Sequence, residues 1–395
     1  MPGFEIFGDE ERKEINDVTE TGVLFRYGFD AKRNGHWKAR SFEEEIREKT
    51  GVRFAHACSS GTAALHIALQ ALSIGAFDEV ILPPFTFVAT FEAVLATGAV
   101  PVFAEIDDTL CISVKGIEKA LTPKTKAVMM VHMCGSMARV DEIKDFCEKK
   151  GLILIEDTCQ AIGGTYKGKS LGTFGRMGCF SFDAVKTVTC GEGGAVITND
   201  ETLSKKADQF ADHGHDHIGN DRGLEEHPVT GFNYRISELN AAVGLAQIRK
   251  LDKIIAVQRS HKAMIKDSLK KIPGVSFRTV PDEAGDSATF LSFFLESEDK
   301  ARKAAKRLAE EGVTGCFYYY DNNWHYLRKW EHFQNLSSPA ILPQKAAGII
   351  TDYNTVSLPE SDGYISRNIS MQIMLSWTED DIKQRIEKMK KVLSE

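Results

Sequence analysis

Between about residues 60 and 200 the chain alternates stretches of helical period with short runs in which nearly every residue is apolar. A run with no polar face has to be covered on both sides, so each reads as a strand of a parallel sheet and the helices between them as crossovers. After Ser59-Ser60-Gly61-Thr62, the residues Ala64, Leu65, Ala68, Leu69 and Leu72 make one helical stripe. Strand-like runs follow at 79–82, 100–103, 127–131, 152–155, 179–182 and 194–197, with helical patterns at 87–96, 113–121 and 140–150. Beyond Ile236 the chain turns mostly helical, and one amphipathic stretch through Leu239, Val243, Leu245, Ile248, Leu251 and Ile255 leads into a smaller unit. There, 289–295 reads as a strand, 298–311 as a charged helix and 378–393 as a C-terminal helix. The expectation is an α/β chain: a large domain over 1–250, with a mostly parallel sheet flanked by helices and an N-terminal arm, and a smaller C-terminal α+β domain over 251–395.

With 395 residues, 43% of them hydrophobic and 27% charged, the chain has enough apolar material for a sizeable core. Its 49 Lys and Arg are dispersed among 56 Asp and Glu for a net charge of −7, which argues against a nucleic-acid partner. The eight cysteines fall singly without Cys-x-x-Cys spacing, as buried thiols of a reducing cytoplasm do. The most apolar region, 80–106, is broken by Pro83, Pro84, Glu92, Gly98 and Pro101, so no membrane span is expected. No basic segment followed by an apolar run follows Met1, so the expectation is a soluble cytoplasmic protein without a signal peptide.

Ligands of a parallel α/β sheet sit at the carboxyl ends of its strands, so polar residues just after apolar runs are the candidates for chemistry. Ser60, Gly61 and Thr62 open a helix, where unpaired amides can take a phosphate; a simple N-cap is the alternative. Asp157, with Gln160, follows a strand and can hold a proton on a buried heterocyclic nitrogen, or cap a helix. Lys186 comes after a buried strand and ahead of the small Gly191-Glu192-Gly193-Gly194 loop, a place for a Schiff-base nucleophile, although most lysines are solvated surface charges. A phosphate cradle, a ring-nitrogen carboxylate and a lysine in this order describe a pyridoxal phosphate site.

These residues lie in motifs that carry a resemblance: Ser59-Ser60-Gly61-Thr62-Ala63-Ala64-Leu65, Pro84-Phe85-Thr86-Phe87, Glu156-Asp157-Thr158-Cys159-Gln160-Ala161, Phe180-Ser181-Phe182 to Lys186, Gly191-Glu192-Gly193-Gly194 and Gly231-Phe232-Asn233-Tyr234-Arg235. From about residue 40 to the C-terminus the chain resembles the DegT/DnrJ/EryC1/StrS sugar aminotransferases, fold-type I pyridoxal phosphate enzymes that act on keto or aldehyde sugars. The resemblance implies pyridoxal 5′-phosphate as cofactor, with Lys186 bonded to it and later shuttling a proton. It also implies Asp157 at the pyridine nitrogen, Gln160 near the ring hydroxyl, and Phe87 stacked on the ring. Ser60, Gly61, Thr62 and Ser181 would serve the phosphate, and Asn233 would reach it from the neighbouring subunit, so a homodimer with shared active sites is implied. Dehydratase relatives carry histidine at the lysine position; Lys186 favours transamination, with L-glutamate as donor and 2-oxoglutarate as its product.

Substrate choice is expected in two stretches that depart from the family pattern. Residues 25–40 carry Arg26, Arg33 and Arg40, either a clamp for the carboxylate of an acidic sugar or a solvated basic arm. Residues 316–325 crowd aromatics against two asparagines and end on Trp324 and His325, a sugar-binding wall or core packing. His213, His215 and His217 lie in a glycine-flanked loop, so no metal site is expected and His215 is a candidate sugar contact. The expected acceptor is a free sugar acid of lipopolysaccharide synthesis. The alternatives are a nucleotide-linked keto sugar or, outside enzymes, a non-catalytic sensor or scaffold.

Overall fold

The computed structural model describes residues 2–219, 221–349 and 352–395. Its main sheet has seven strands in the spatial order Phe54–Cys58, Gly194–Thr198, Met177–Ser181, Ile153–Asp157, Thr125–Val131, Glu79–Leu82, Val100–Phe103. The last five run parallel to one another. Gly194–Thr198 is the reversed strand, antiparallel to both of its neighbours.

Successive residues of these strands feed opposite faces, as pleating requires. Val80, Leu82, Met129, Ile155 and Cys179 pack with the helices Gly61–Ala71, Ala89–Ala96 and Glu201–Ala211. Ile81, Val128, Met130 and Leu154 pack the other way, against Val114–Ala120 and Val140–Lys150. Further along that second face, Phe180, Ala195 and Ile197 meet Lys38–Thr50 and Glu238–Arg249. A strand buried on both faces is apolar along most of its covered length, which is why these runs are visible in the sequence.

A second sheet, wholly antiparallel, orders Ser276–Phe277, Phe290–Phe294, Asn368–Gln372 and Cys316–Phe317. It packs against Leu251–Leu269, Glu298–Glu310 and Glu379–Leu393. Residues between the last two strands return to the main sheet: Trp330, Phe333 and Tyr353 join one of its faces, Tyr319, Tyr326 and Ile365 the other. The single amphipathic stretch expected around Leu239–Ile255 is two helices, Glu238–Arg249 and Leu251–Leu269. At the break, the Lys250 ammonium donates to the Ile6 carbonyl (3.0 Å) and to Glu11 (2.8 Å). Among the described residues no helix is long and apolar enough to cross a membrane.

One strand is longer than its apolar run. Ile153–Asp157 includes Glu156 and Asp157, which therefore point to opposite faces. Glu156, fully buried, accepts the amides of Gly172 (2.8 Å), Gly175 (2.7 Å) and Phe174 and pairs with His132 Nε2 (2.9 Å). Glu156→Ala would leave three amides without their acceptor, at about 1–3 kcal/mol each. A loss of at least about 3 kcal/mol in urea unfolding is expected, with part of it recovered in Glu156→Gln.

Candidate active site

The carboxyl ends of the parallel strands share one edge of the sheet, and the chain's conspicuous polar residues collect there in a single cleft. Its floor begins at the helix Gly61–Ala71. Ser60 is the N-cap, its Oγ accepting from Ala63 N (3.0 Å), so the capping alternative is real but leaves the site open. Gly61 and Thr62, as first-turn residues, have no carbonyl four positions back in the helix for their amides, which point toward the cleft with the positive end of the helix dipole. A Cβ on Gly61 would lie 2.7 Å from Ser181 Cβ, and one on Gly194 would lie 2.2 Å from the Ser60 carbonyl. The glycines thus let two strand ends and a helix N-terminus close into a cradle with Ser181 beside it. The two first-turn amides beside the Ser60 and Ser181 hydroxyls make a donor set that fits a phosphate ester.

On one wall stands Asp157, buried, with its carboxylate accepting from Thr90 Oγ1 (2.8 Å) and the Cys159 amide (3.1 Å). Thr90 is bonded in turn to Thr86 (2.7 Å). Gln160 turns its Oε1 to the Cys134 amide (3.0 Å), which leaves its amide hydrogens for the cleft. The thiol of Cys159 also lines this space, and burial raises its pKa far enough to keep it protonated.

Lys186 enters from the loop after Met177–Ser181. Its own amide donates to the Asp183 carbonyl (3.0 Å), its carbonyl accepts from Gly3 (3.2 Å), and its Nζ lies 5.7 Å from the centre of the Phe87 ring. Phe87 stacks against Trp324 (5.7 Å between centroids) and meets His325 at 5.4 Å. Backbone bonds hold this wall: Thr86 N donates to His325 O (3.0 Å) and Val88 N to Trp324 O (3.1 Å). His325 Nδ1 is 3.0 Å from Asn322 Oδ1, and burial, helped by the charge of Lys186, pushes its pKa down to about 3. The ring is therefore neutral at physiological pH.

The structure thus gathers Ser60, Gly61, Thr62, Phe87, Asp157, Gln160, Ser181 and Lys186, with Trp324 and His325 against Phe87. It does not bring the basic segment to this cleft. Arg26 is buried, donating to Ala57 O (2.6 Å) and Glu43 (2.6 Å). Arg33, only 1% exposed, donates to the carbonyls of Gly28 (2.6 Å), Phe25 and Tyr27 and lies 3.4 Å from Glu238. The left-handed turn at Gly28 and Phe29 accompanies carbonyls that face inward, and the Arg33 fork satisfies them. Both the clamp and the solvated arm are corrected for these two residues: each is an internal fastener. Arg40 lies over Trp37, its Cζ 3.7 Å from the ring centre.

His215 is also elsewhere, 2.8 Å from Glu225 and with its ring 4.1 Å from that of His227. Asn233 is exposed and does not line this chain's cleft. Among the described residues no group of three or more His, Cys, Asp or Glu side chains could hold a metal ion. Thr86 and Thr90, which orient Asp157, were missed; two threonines four apart on either side of the helix start at Ala89 were the available signal.

A family model, the DegT/DnrJ/EryC1/StrS aminotransferase family, matches residues 8–390. The chain belongs to that family. It is 38% identical over 288 residues to GDP-perosamine synthase of Vibrio cholerae, covering 73% of this chain and 74% of that protein. Among solved structures it matches an aminotransferase from Psychrobacter cryohalolentis with a TM-score of 0.84 at 29% identity, over 98% of this chain and 97% of the other. It also matches NtdA of Bacillus subtilis, solved with bound PMP, with a TM-score of 0.81 at 26% identity, over 98% and 83%. The protein is accordingly a pyridoxal phosphate-dependent aminotransferase of fold-type I.

The environment of His325 makes a prediction about acid stability. Its folded pKa lies below the ordinary 6.5, so as pH falls through 6.5 the unfolded chain takes up a proton that the folded chain refuses. Stability lost to this group grows by about 1.4 kcal/mol per pH unit until the folded pKa near 3 is reached. His325→Gln should therefore show a shallower fall between pH 6.5 and 4 in urea unfolding; parallel curves for the two proteins would contradict it.

Proposed function

We propose that this aminotransferase moves the amino group of L-glutamate to the C8 aldehyde of 3,8-dideoxy-8-oxo-manno-octulosonate, forming 8-amino-3,8-dideoxy-manno-octulosonate for lipopolysaccharide synthesis and releasing 2-oxoglutarate. The sequence resembles the transaminase of that reaction most in four stretches, 25–40, 182–190, 212–219 and 316–325. The observation that carries the reading is that two of them, 182–190 and 316–325, supply Lys186 and the Trp324–His325 wall that packs on Phe87. A neutral imidazole beside a broad indole face suits the alternating C–H and hydroxyl surfaces of a sugar.

The cofactor, when bound, supplies a carbonyl to take up the amine and a ring to receive electron density. In this reading, Lys186 holds it between turnovers and, once displaced, carries the proton to and from the reacting carbon. Asp157, its orientation fixed by Thr90 and the Cys159 amide, keeps a proton on the ring nitrogen. Phe87 would cover the ring, Gln160 would donate to a ring oxygen, and the Gly61 and Thr62 amides with the Ser60 and Ser181 hydroxyls would take the phosphate. Asn233, exposed on its own chain, is offered to the phosphate of the neighbouring subunit in a homodimer with shared active sites. A nucleotide-linked keto sugar is the second reading, favoured by the likeness to GDP-perosamine synthase.

A half-reaction separates them. Enzyme converted to its amine form by glutamate and freed of excess donor should recover its original visible absorbance on addition of the 8-oxo sugar acid. Failure to recover, together with recovery on GDP-4-keto-6-deoxymannose, would transfer the assignment to the nucleotide sugar. Lys186→Ala should lose more than about a thousandfold in turnover with its melting temperature unchanged. Full activity in that variant would refute the role of the lysine.

A further inference from the structure

The turn Met133–Gly135, just after the strand Thr125–Val131, is held in an uncommon shape by side chains from the antiparallel sheet's side of the molecule. Cys134 sits in the left-handed region (φ 54°, ψ 40°) although it is not glycine, and Gly135 follows at φ 71°. A Cβ on Gly135 would lie 2.7 Å from both Ser287 Oγ and Thr289 Cβ, so the turn is pressed against that segment. Ser287 Oγ donates to the Gly135 carbonyl and is 2.9 Å from Thr289 Oγ1. Arg278, whose own amide donates to Ser292 O (3.2 Å) in the second sheet, reaches across and donates to the Met133 carbonyl (2.8 Å) and to that of Thr109.

The carbonyl of Met133 and the amide of Cys134 are two ends of one peptide plane. One end takes a guanidinium bond; the other donates to Gln160 Oε1 (3.0 Å). A cation on the carbonyl polarises the plane and strengthens its N–H as a donor, and two fixed partners prevent the plane from turning over. Arg278 is itself 4% exposed, and the partners that hold it are carbonyls and Cys111 Sγ (3.5 Å) rather than a carboxylate. A buried guanidinium so placed is a costly way to close a turn with no further purpose.

We propose that Arg278, with Ser287 in support, is a positioning residue that sets the Gln160 carboxamide so that its hydrogens, not its oxygen, face the cofactor. This rests on the roles given above to Lys186 and Gln160 and is independent of which sugar is aminated. The readout is the pH midpoint of the visible absorbance of the resting, cofactor-loaded enzyme. A donor on an anionic ring oxygen favours the less protonated chromophore, so its loss raises the midpoint.

Gln160→Leu should raise the midpoint by about one pH unit, and Arg278→Met by at least half as much, with kcat down about tenfold and KM for glutamate within about twofold. In the double variant Arg278→Met should add nothing to Gln160→Leu. An Arg278→Met enzyme with an unmoved midpoint, or additive effects in the double variant, overturns the proposal. A midpoint unmoved by Gln160→Leu itself means that the reading of Gln160 fails and takes the proposal with it. Should Arg278→Met fail to fold, Arg278→Lys, which loses the fork that reaches the Met133 and Thr109 carbonyls together, and Ser287→Ala, which loses the bond to the Gly135 carbonyl, are judged by the same criterion.

Discussion

Glu156 ties together three neighbouring strands at the edge where the chemistry lies. It belongs to Ile153–Asp157, holds the 172–175 loop that leads into Met177–Ser181, and pairs with His132 at the end of Thr125–Val131. A carboxylate buried without such partners would cost several kcal/mol; with four donors it becomes a rigid joint. Because neighbouring residues in a strand face opposite ways, fixing Glu156 beneath the sheet also fixes Asp157 above it. Ser181, Asp157 and the turn beside Gln160 therefore share one reference point, and none depends on a loop alone for its place.

The parts of the fold legible from sequence are those where one physical demand acts alone. Strands covered on both faces must be apolar, and the runs at 79–82 and 100–103 lie where the structure has Glu79–Leu82 and Val100–Phe103. The strand Phe54–Cys58 escaped because it lies at the sheet's edge and carries His56 in its middle. The two-residue strands Ser276–Phe277 and Cys316–Phe317 are too short to show any period. The break at Lys250 was hidden because the apolar stripe runs on through it, and the residue at the break bonds to partners more than 230 positions away, which no local pattern shows.

The site divides in the same way. Lysine, aspartate and the serine-glycine helix start were readable because each sits at a strand end or beside glycines, and the sheet then brings all such ends to one edge. Arginines 26 and 33 misled because the same guanidinium geometry that suits a substrate carboxylate also suits inward-facing carbonyls. Residue type gives the capability of a group, while its vacancy depends on what the fold places around it. The orientation of Gln160 belongs to this second kind, being decided by Arg278 across 118 positions of sequence and a second sheet.

The wall made by Trp324 and His325 is stitched to the 84–88 segment by successive backbone bonds, with Leu327 N to Pro84 O (3.0 Å) continuing the series. A wall fastened that way travels with the sheet edge instead of swinging over it. Trp324 and His325 therefore keep their place beside Phe87 and Lys186 through main-chain bonds as well as through ring packing, so this side of the cleft is set by the same sheet edge that sets the lysine's surroundings.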